Sequence, residues 1–256
     1  MSAVQMTTQA VAPPLLSCRG MVKRFGGLVA VNGVDLDLAA GEVLALVGDN
    51  GAGKSTMVQM ISGVYKADGG EIWLDGKKQA FGSPEDARRA GIETIYQDLA
   101  LCDNLTAADN IFLGREIKRR RFGILPGIDE PVMREKARAV LDELHIRIPD
   151  LNAPVRQLSG GQRQAVAISR AVYWQARIMI MDEPTAALGV PEQRKVMDLI
   201  RMLKGRGVPV ILISHNMQDV FEISDRIFVM RRGSKVADFR TAETNSNEVV
   251  RTMIGG

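Results

Sequence analysis

Cysteine is nearly missing: Cys18 and Cys102 are the only two in 256 residues. They lie far apart and in no CxxC or metal-ligand spacing, which argues against a disulfide framework and favours a reducing compartment. Long apolar runs are missing as well. Nowhere do about 18 consecutive apolar residues occur, so no segment is read as spanning a bilayer. Met1 to Leu16 lacks a basic start followed by a sustained apolar stretch; it reads as a loose tail over residues 1–14 and not as a secretory signal. Net charge is slight, +3 from 33 basic and 30 acidic side chains. That balance gives no general argument for a nucleic-acid partner. The one basic run, Lys118-Arg119-Arg120-Arg121, reads as a solvated loop, because charge runs usually sit in water. Histidine is scarce too, with only His145 and His215.

Apolar patterning is what the chain does have. Leu15 to Lys23 and Val34 to Leu38 alternate as half-buried strands do. Val43 to Val47, VLALV, suits a strand buried on both faces. A helix is expected from Lys54 to Gly63, then a strand over Glu71–Leu74 with a turn at Asp75-Gly76. Helical spacing dominates Pro84–Ala90, Ala107–Gly114, Pro131–Leu144 and Gln162–Trp174; His145 is read as a structural residue in an amphipathic helix. Strands return at Ile178–Met181 and Pro209–Ile213 around a helix over Pro191–Lys204, and a last helix covers Ser246–Met253. The order predicts an α/β core with a helical insertion at about residues 98–173, all within one domain over residues 15–256.

Three motifs carry chemistry. Gly48-Asp49-Asn50-Gly51-Ala52-Gly53-Lys54-Ser55-Thr56 fits GxxxxGK[ST] between a strand and a helix. Its glycines let backbone N–H groups turn toward phosphate at a helix N-terminus. Lys54 suits the β- and γ-phosphates, and the Ser55 hydroxyl suits Mg²⁺. In Ile178-Met-Ile-Met-Asp182-Glu183-Pro184, a buried strand delivers Asp182 to a magnesium shell and Glu183 to an attacking water as general base. Leu158-Ser159-Gly160-Gly161-Gln162 opens a helix with a hydroxyl and two glycines, a second phosphate cradle. Two cradles beside one hydrolytic centre make sense if each nucleotide is held between two copies.

These motifs, in this order, resemble the nucleotide-binding domain of ABC transporters from about Leu15 to Gly233. The resemblance implies a P-loop NTPase fold with a mixed sheet, an antiparallel β region and an inserted helical subdomain. It implies ATP and Mg²⁺ as cofactors and ATP hydrolysis as the reaction. Gln97 matches the family glutamine that contacts Mg²⁺ and water, His215 the histidine beside the γ-phosphate, and Phe25 the aromatic that stacks on adenine; a core Phe is the rival reading of Phe25. Family partners are a second ATP-binding domain, membrane permease subunits and, indirectly, a periplasmic solute-binding protein. These place the chain on the cytoplasmic face of the membrane. Asn104–Glu116 and His215–Arg226 resemble bacterial monosaccharide importers, and a single-domain form resembles those for fructose. In the family the Asn104 region docks on the membrane subunit, a role that would suit Leu105 and Phe112; the rival reading is that the stretch merely packs the helical insertion. An importer for another solute, or a non-transport ABC ATPase, stays open as an alternative. One departure stands out: where the family often reads SALD, this chain has Ala186-Ala187-Leu188-Gly189.

Overall fold

Alternating burial decides where each sheet faces. A computed structural model describes residues 13–121, 125–186 and 188–255; the expected tail falls mostly outside them. The central strand, β3 (Val43–Val47), is buried at every position. It lies within a six-stranded sheet of order β12-β11-β3-β10-β9-β6. The other members are β6 (Ile92–Ile95), β9 (Ile178–Asp182), β10 (Val210–Ile213), β11 (Arg226–Arg231) and β12 (Ser234–Arg240). Five of the six run parallel, and β12 closes one edge antiparallel to β11. Because successive side chains point to opposite faces, β3 serves cores on both sides of the sheet, with Val43 in the cluster around the helices over Glu130–Glu143, Gly160–Tyr173 and Val190–Gly205. Leu44 and Leu46 pack with Met57, Met60 and Ile61 and with the second sheet, while Ala45 and Val47 pack with Val220, Ile227 and Val249.

The second sheet is antiparallel and joins β1 (Leu16–Phe25), β2 (Leu28–Leu38), β4 (Gly69–Leu74) and β5 (Lys77–Gln79) in the order β2-β1-β4-β5. Eight helices occur among the described residues. They are α1 (Lys54–Ile61), α2 (Pro84–Arg89), α3 (Ala107–Phe112), α4 (Glu130–Glu143), α5 (Gly160–Tyr173), α6 (Val190–Gly205), α7 (Met217–Ile223) and α8 (Ser246–Ile254). Helices α3, α4 and α5 fall between β6 and β9, where the helix-rich stretch was expected. Capping boxes start two of them. Thr106 and Asp109 exchange hydrogen bonds at α3, as Ser159 and Gln162 do at α5, which satisfies N–H groups that a helix start leaves open.

Several sequence expectations need correction. Lys118–Arg121 is a strand, β7, paired antiparallel with β8 (Leu125–Ile128); Lys118 and Arg119 are exposed, so the charge is solvated while the backbone is paired. His145 is not inside a helix: it follows the C-cap Leu144 with φ +56°. Phe112 does not form a docking surface. It is fully buried and meets Tyr173 edge-on at 4.6 Å, leaving the next residue, Leu113, exposed. Strand β2 begins six residues before the stretch whose alternation is legible. Strands β5, β6, β8, β11 and β12 and helix α7 lie outside the segments expected from the sequence.

Candidate active site

Parallel pairing brings the motif-bearing segments to one edge. Ile213 of β10 stands level with Leu46 of β3 and with Asp182 of β9. Gly48, Ser214-His215 and Asp182-Glu183 therefore leave three neighbouring strands at the same height, about 4.8 Å apart strand to strand. Gln97 follows β6, the next strand over, and is exposed.

The loop after β3 is shaped by glycine. Gly48 and Gly53 have φ of +151° and +100°. A Cβ on Gly48 would overlap the Met230 carbonyl oxygen, and one on Gly53 would lie 2.5 Å from the Ala30 carbonyl oxygen. Only glycine fits there without moving backbone. Ala52 is buried and donates its N–H to Asp49 at 3.0 Å, whereas Asp49, Asn50, Gly51 and Ser55 are exposed and Thr56 is half-buried. Helix α1 has no side-chain cap and no acidic residue in its first turn, so its positive N-terminal end is left for an anion. The Lys54 Nζ donates to the carbonyls of Gly48 (2.7 Å) and Asp49 (3.0 Å). Burial lowers the Lys54 pKa, against the opposing pull of Glu183, Asp182 and Asp49.

Beyond β9 the backbone turns sharply. Glu183 has φ +51°, a strained conformation for a side chain of its size. Its N–H is held by the Ile213 carbonyl at 2.9 Å. The turn sets the Glu183 carboxylate 2.8 Å from His215 Nδ1, with the histidine 76% exposed and the glutamate 15%. Asp182 beside it is pushed up in pKa, first by burial and then by Glu183, with Lys54 acting the other way. Thr185 donates to Asp219 Oδ2 at 2.7 Å and thereby ties this loop to α7.

Among the described residues no group of three or more His, Cys, Asp or Glu side chains could hold a metal. The candidate set for magnesium is one carboxylate, Asp182, with the Ser55 hydroxyl and the Gln97 amide. Such a set fits a hard cation that takes its remaining oxygens from phosphate and water, not a resident all-protein metal centre.

The other glycine motif lies elsewhere. Ser159 accepts the Gln162 N–H at 3.3 Å and donates its own N–H to Gln162 Oε1 at 2.9 Å. Gln162 also reaches the Arg147 carbonyl at 3.4 Å. Gly160 and Gly161 pack against Leu188 and Glu192. The hydrogen bonds of Ser159–Gln162 stay within this corner and none goes to the loop at Gly48–Thr56. Among the described residues the two glycine motifs are thus not hydrogen-bonded to one another.

A family model described as ABC transporter matches residues 31–186. The chain belongs to the ABC transporter family. It is 49% identical over 239 residues to the xylose/arabinose import ATP-binding protein XylG of Sulfolobus acidocaldarius, covering 93% of each. It is also 49% identical over 247 residues to the fructose import ATP-binding protein FrcA of Rhizobium meliloti, covering 94% of each. The ribose import ATP-binding protein RbsA 1 of Rubrobacter xylanophilus is 47% identical, but the match spans only 47% of that longer protein. Among solved structures, the ADP conformation of MJ1267, an ATP-binding cassette of an ABC transporter, superposes with a TM-score of 0.80. Identity is 27%, over 95% of this chain and 99% of that one. A dimeric post-hydrolysis cassette, MJ0796 bound to ADP and Pi, gives 0.73 at 26% identity, over 88% and 98%.

Within the cassette, Phe25 ends β1 and is 41% exposed, which removes the reading of it as a core residue. It meets Tyr65 edge-on at 5.2 Å, with Lys23 Nζ over its ring at 5.5 Å from the centre. Sequence reasoning missed the supports: the Ala30 and Met230 carbonyls that wall the glycine loop, and Asp219, which holds Thr185. No local pattern announces them, since each is distant in sequence from what it supports.

Proposed function

We propose that this cassette hydrolyses Mg-ATP between two copies of itself to energise uptake of a monosaccharide through separate membrane subunits. The observation that carries the hydrolytic reading is the Glu183–His215 pair, set at the strand edge beside Lys54. Lys54 and the α1 N-terminus would hold the β- and γ-phosphates, and Asp182, Ser55 and Gln97 the magnesium, which when bound withdraws charge from the phosphate oxygens. Glu183 accepts a proton from a water whose oxygen bonds to the γ-phosphorus, while the bond from that phosphorus to the ADP oxygen breaks. His215 fixes the Glu183 carboxylate. Ser159–Gln162 of the second copy would close on the same phosphate, and Phe25 would stack on the base.

The names of relatives matched over nearly their whole length support sugar import. They differ in pentose and hexose, so the supported class is monosaccharide and no single sugar. This reading puts the chain on the cytoplasmic face of the membrane beside permease subunits, which in turn receive sugar from a periplasmic binding protein. No helix among the described residues is long and apolar enough to cross a membrane.

Sedimentation of the purified chain and its Glu183→Gln variant, with and without Mg-ATP, tests the shared site. The variant should dimerise only with Mg-ATP. Wild-type turnover per molecule should rise steeply with protein concentration, and the variant should hydrolyse about 10²–10⁴-fold more slowly. Monomers throughout, with turnover independent of concentration, would reject the shared site. Loss of uptake of a labelled pentose or hexose in cells lacking the chain tests the cargo class; unchanged uptake of every monosaccharide tried would reject it.

A further inference from the structure

The segment after the hydrolytic strand doubles back onto the first turn of α5. Leu188 packs over Gly160, where an added Cβ would lie 2.8 Å from Leu188 Cδ2. Glu192 packs over Gly161, where an added Cβ would lie 2.9 Å from Glu192 Cγ. On its other side the same side chain reaches Gly189, whose Cβ would lie 2.9 Å from Glu192 Oε2. Two glycines on separate segments therefore leave room for one half-buried acidic side chain.

The charges around it make the placement informative. Helix α5 has no acidic residue in its own first turn, and Glu192 is the acid in the first turn of α6. The ion pairs of the described residues do not include its carboxylate. Its Cβ and Cγ lie on the first turn of α5 and its Oε2 at Gly189, the N-cap of α6. Its negative charge therefore stands beside the α6 N-terminus and one bond beyond the atoms that touch α5, where the positive ends of both helices act on it. One of those ends, at Ser159–Gln162, is where the proposed shared site needs an anion from elsewhere.

Resting on that shared-site reading, we propose that Glu192 is an electrostatic counterweight to the Ser159–Gln162 end of α5. While its carboxylate stands there, it weakens the grip of α5 on nucleotide phosphate brought by a second copy. A cavity of 540 Å³ beside it is lined by His145, Arg147, Lys195 and Asp198, so the side chain has space to turn to, with two cations against one other carboxylate, when phosphate arrives. Glu192 acts through the helix end and not on the reacting atoms. Its charge sets how readily the pair closes, and its shape has little part in this.

The test uses the full chain carrying Glu183→Gln, with the dimer dissociation constant measured by sedimentation in Mg-ATP. Glu192→Gln keeps the shape and removes the charge. It should tighten the dimer by about two- to fivefold at low salt, with the difference shrinking as salt screens it. Glu192→Asp retains the charge and should restore the weaker constant. A role in packing alone predicts the opposite ranking, with Glu192→Gln silent and Glu192→Asp disturbed; that ranking, or a looser dimer for Glu192→Gln, overturns the proposal. If the Glu183→Gln chain forms no Mg-ATP-dependent dimer, the shared-site reading fails and this inference falls with it.

Discussion

Asp182 sits where a carboxylate is costly. Burial and then the neighbouring Glu183 raise its pKa, and Lys54 offsets only part of this. The folded chain therefore holds a proton there more tightly than the unfolded chain does. Stability falls as pH rises from the ordinary aspartate pKa through the raised folded value, and the full cost of ionisation is present at neutral pH. Asp182→Asn should raise the Tm of the nucleotide-free chain at pH 7, and the gain should shrink as the pH drops below the carboxylate range. Melting curves across pH check this. An equal gain at every pH would show that charge is not the cause. The same substitution removes the carboxylate proposed for magnesium, so stability should improve while Mg-dependent turnover is lost.

Asn110 shows how one side chain sets an element. Fully buried in α3, it accepts the Cys102 N–H at 2.7 Å and donates to the carbonyls of Cys102, Leu105 and Thr106. The carbonyls of Cys102, Leu105 and Thr106 keep the backbone N–H groups of Leu105, Val155 and Asn110 as donors, so Asn110→Ala leaves the Cys102 N–H unpaired and should cost about 1–3 kcal/mol. Faster hydrogen exchange over residues 102–112 would locate the damage. That a helix begins near Ala107 was legible in the sequence; that Asn110 organises the loop before it was not, because an Asn in a helix carries no mark of its partners. Legibility divides the other elements in the same way. VLALV and IMIM announce buried strands by composition, and the glycine motifs announce their phosphate chemistry. Phe112 looked like an exposed apolar residue because its cover, Tyr173 and Trp174, comes about 60 residues later. The basic run at Lys118–Arg121 looked unstructured because its charge hid a backbone ladder. Strand β11, RIFVMR, has an apolar centre between charged ends and went unread beside louder motifs.

At the scale of the whole molecule, the glycine loop depends on the far end of the chain. Gly48 is closed in by the carbonyl of Met230 in β11, and Ala52 accepts the Gly233 N–H at 3.0 Å. Gly48→Ala should collide with that carbonyl and adopt a backbone conformation that a side chain resists, at a cost of at least about 1–3 kcal/mol. It should lower Tm and abolish ATP binding, as nucleotide-dependent melting would report; retained binding would mean that β11 yields. Both strands that flank β3 come from the last quarter of the sequence, and its Val43 N–H bonds to Asp225 across 182 residues. A ribosome therefore releases the phosphate motif long before the wall that shapes it. The nascent chain carries an unformed nucleotide loop until β10 and β11 emerge. ATP then meets its first binding-competent cassette only after β11 has emerged, so nucleotide cannot template the early folding of this domain and instead selects chains in which it has already closed.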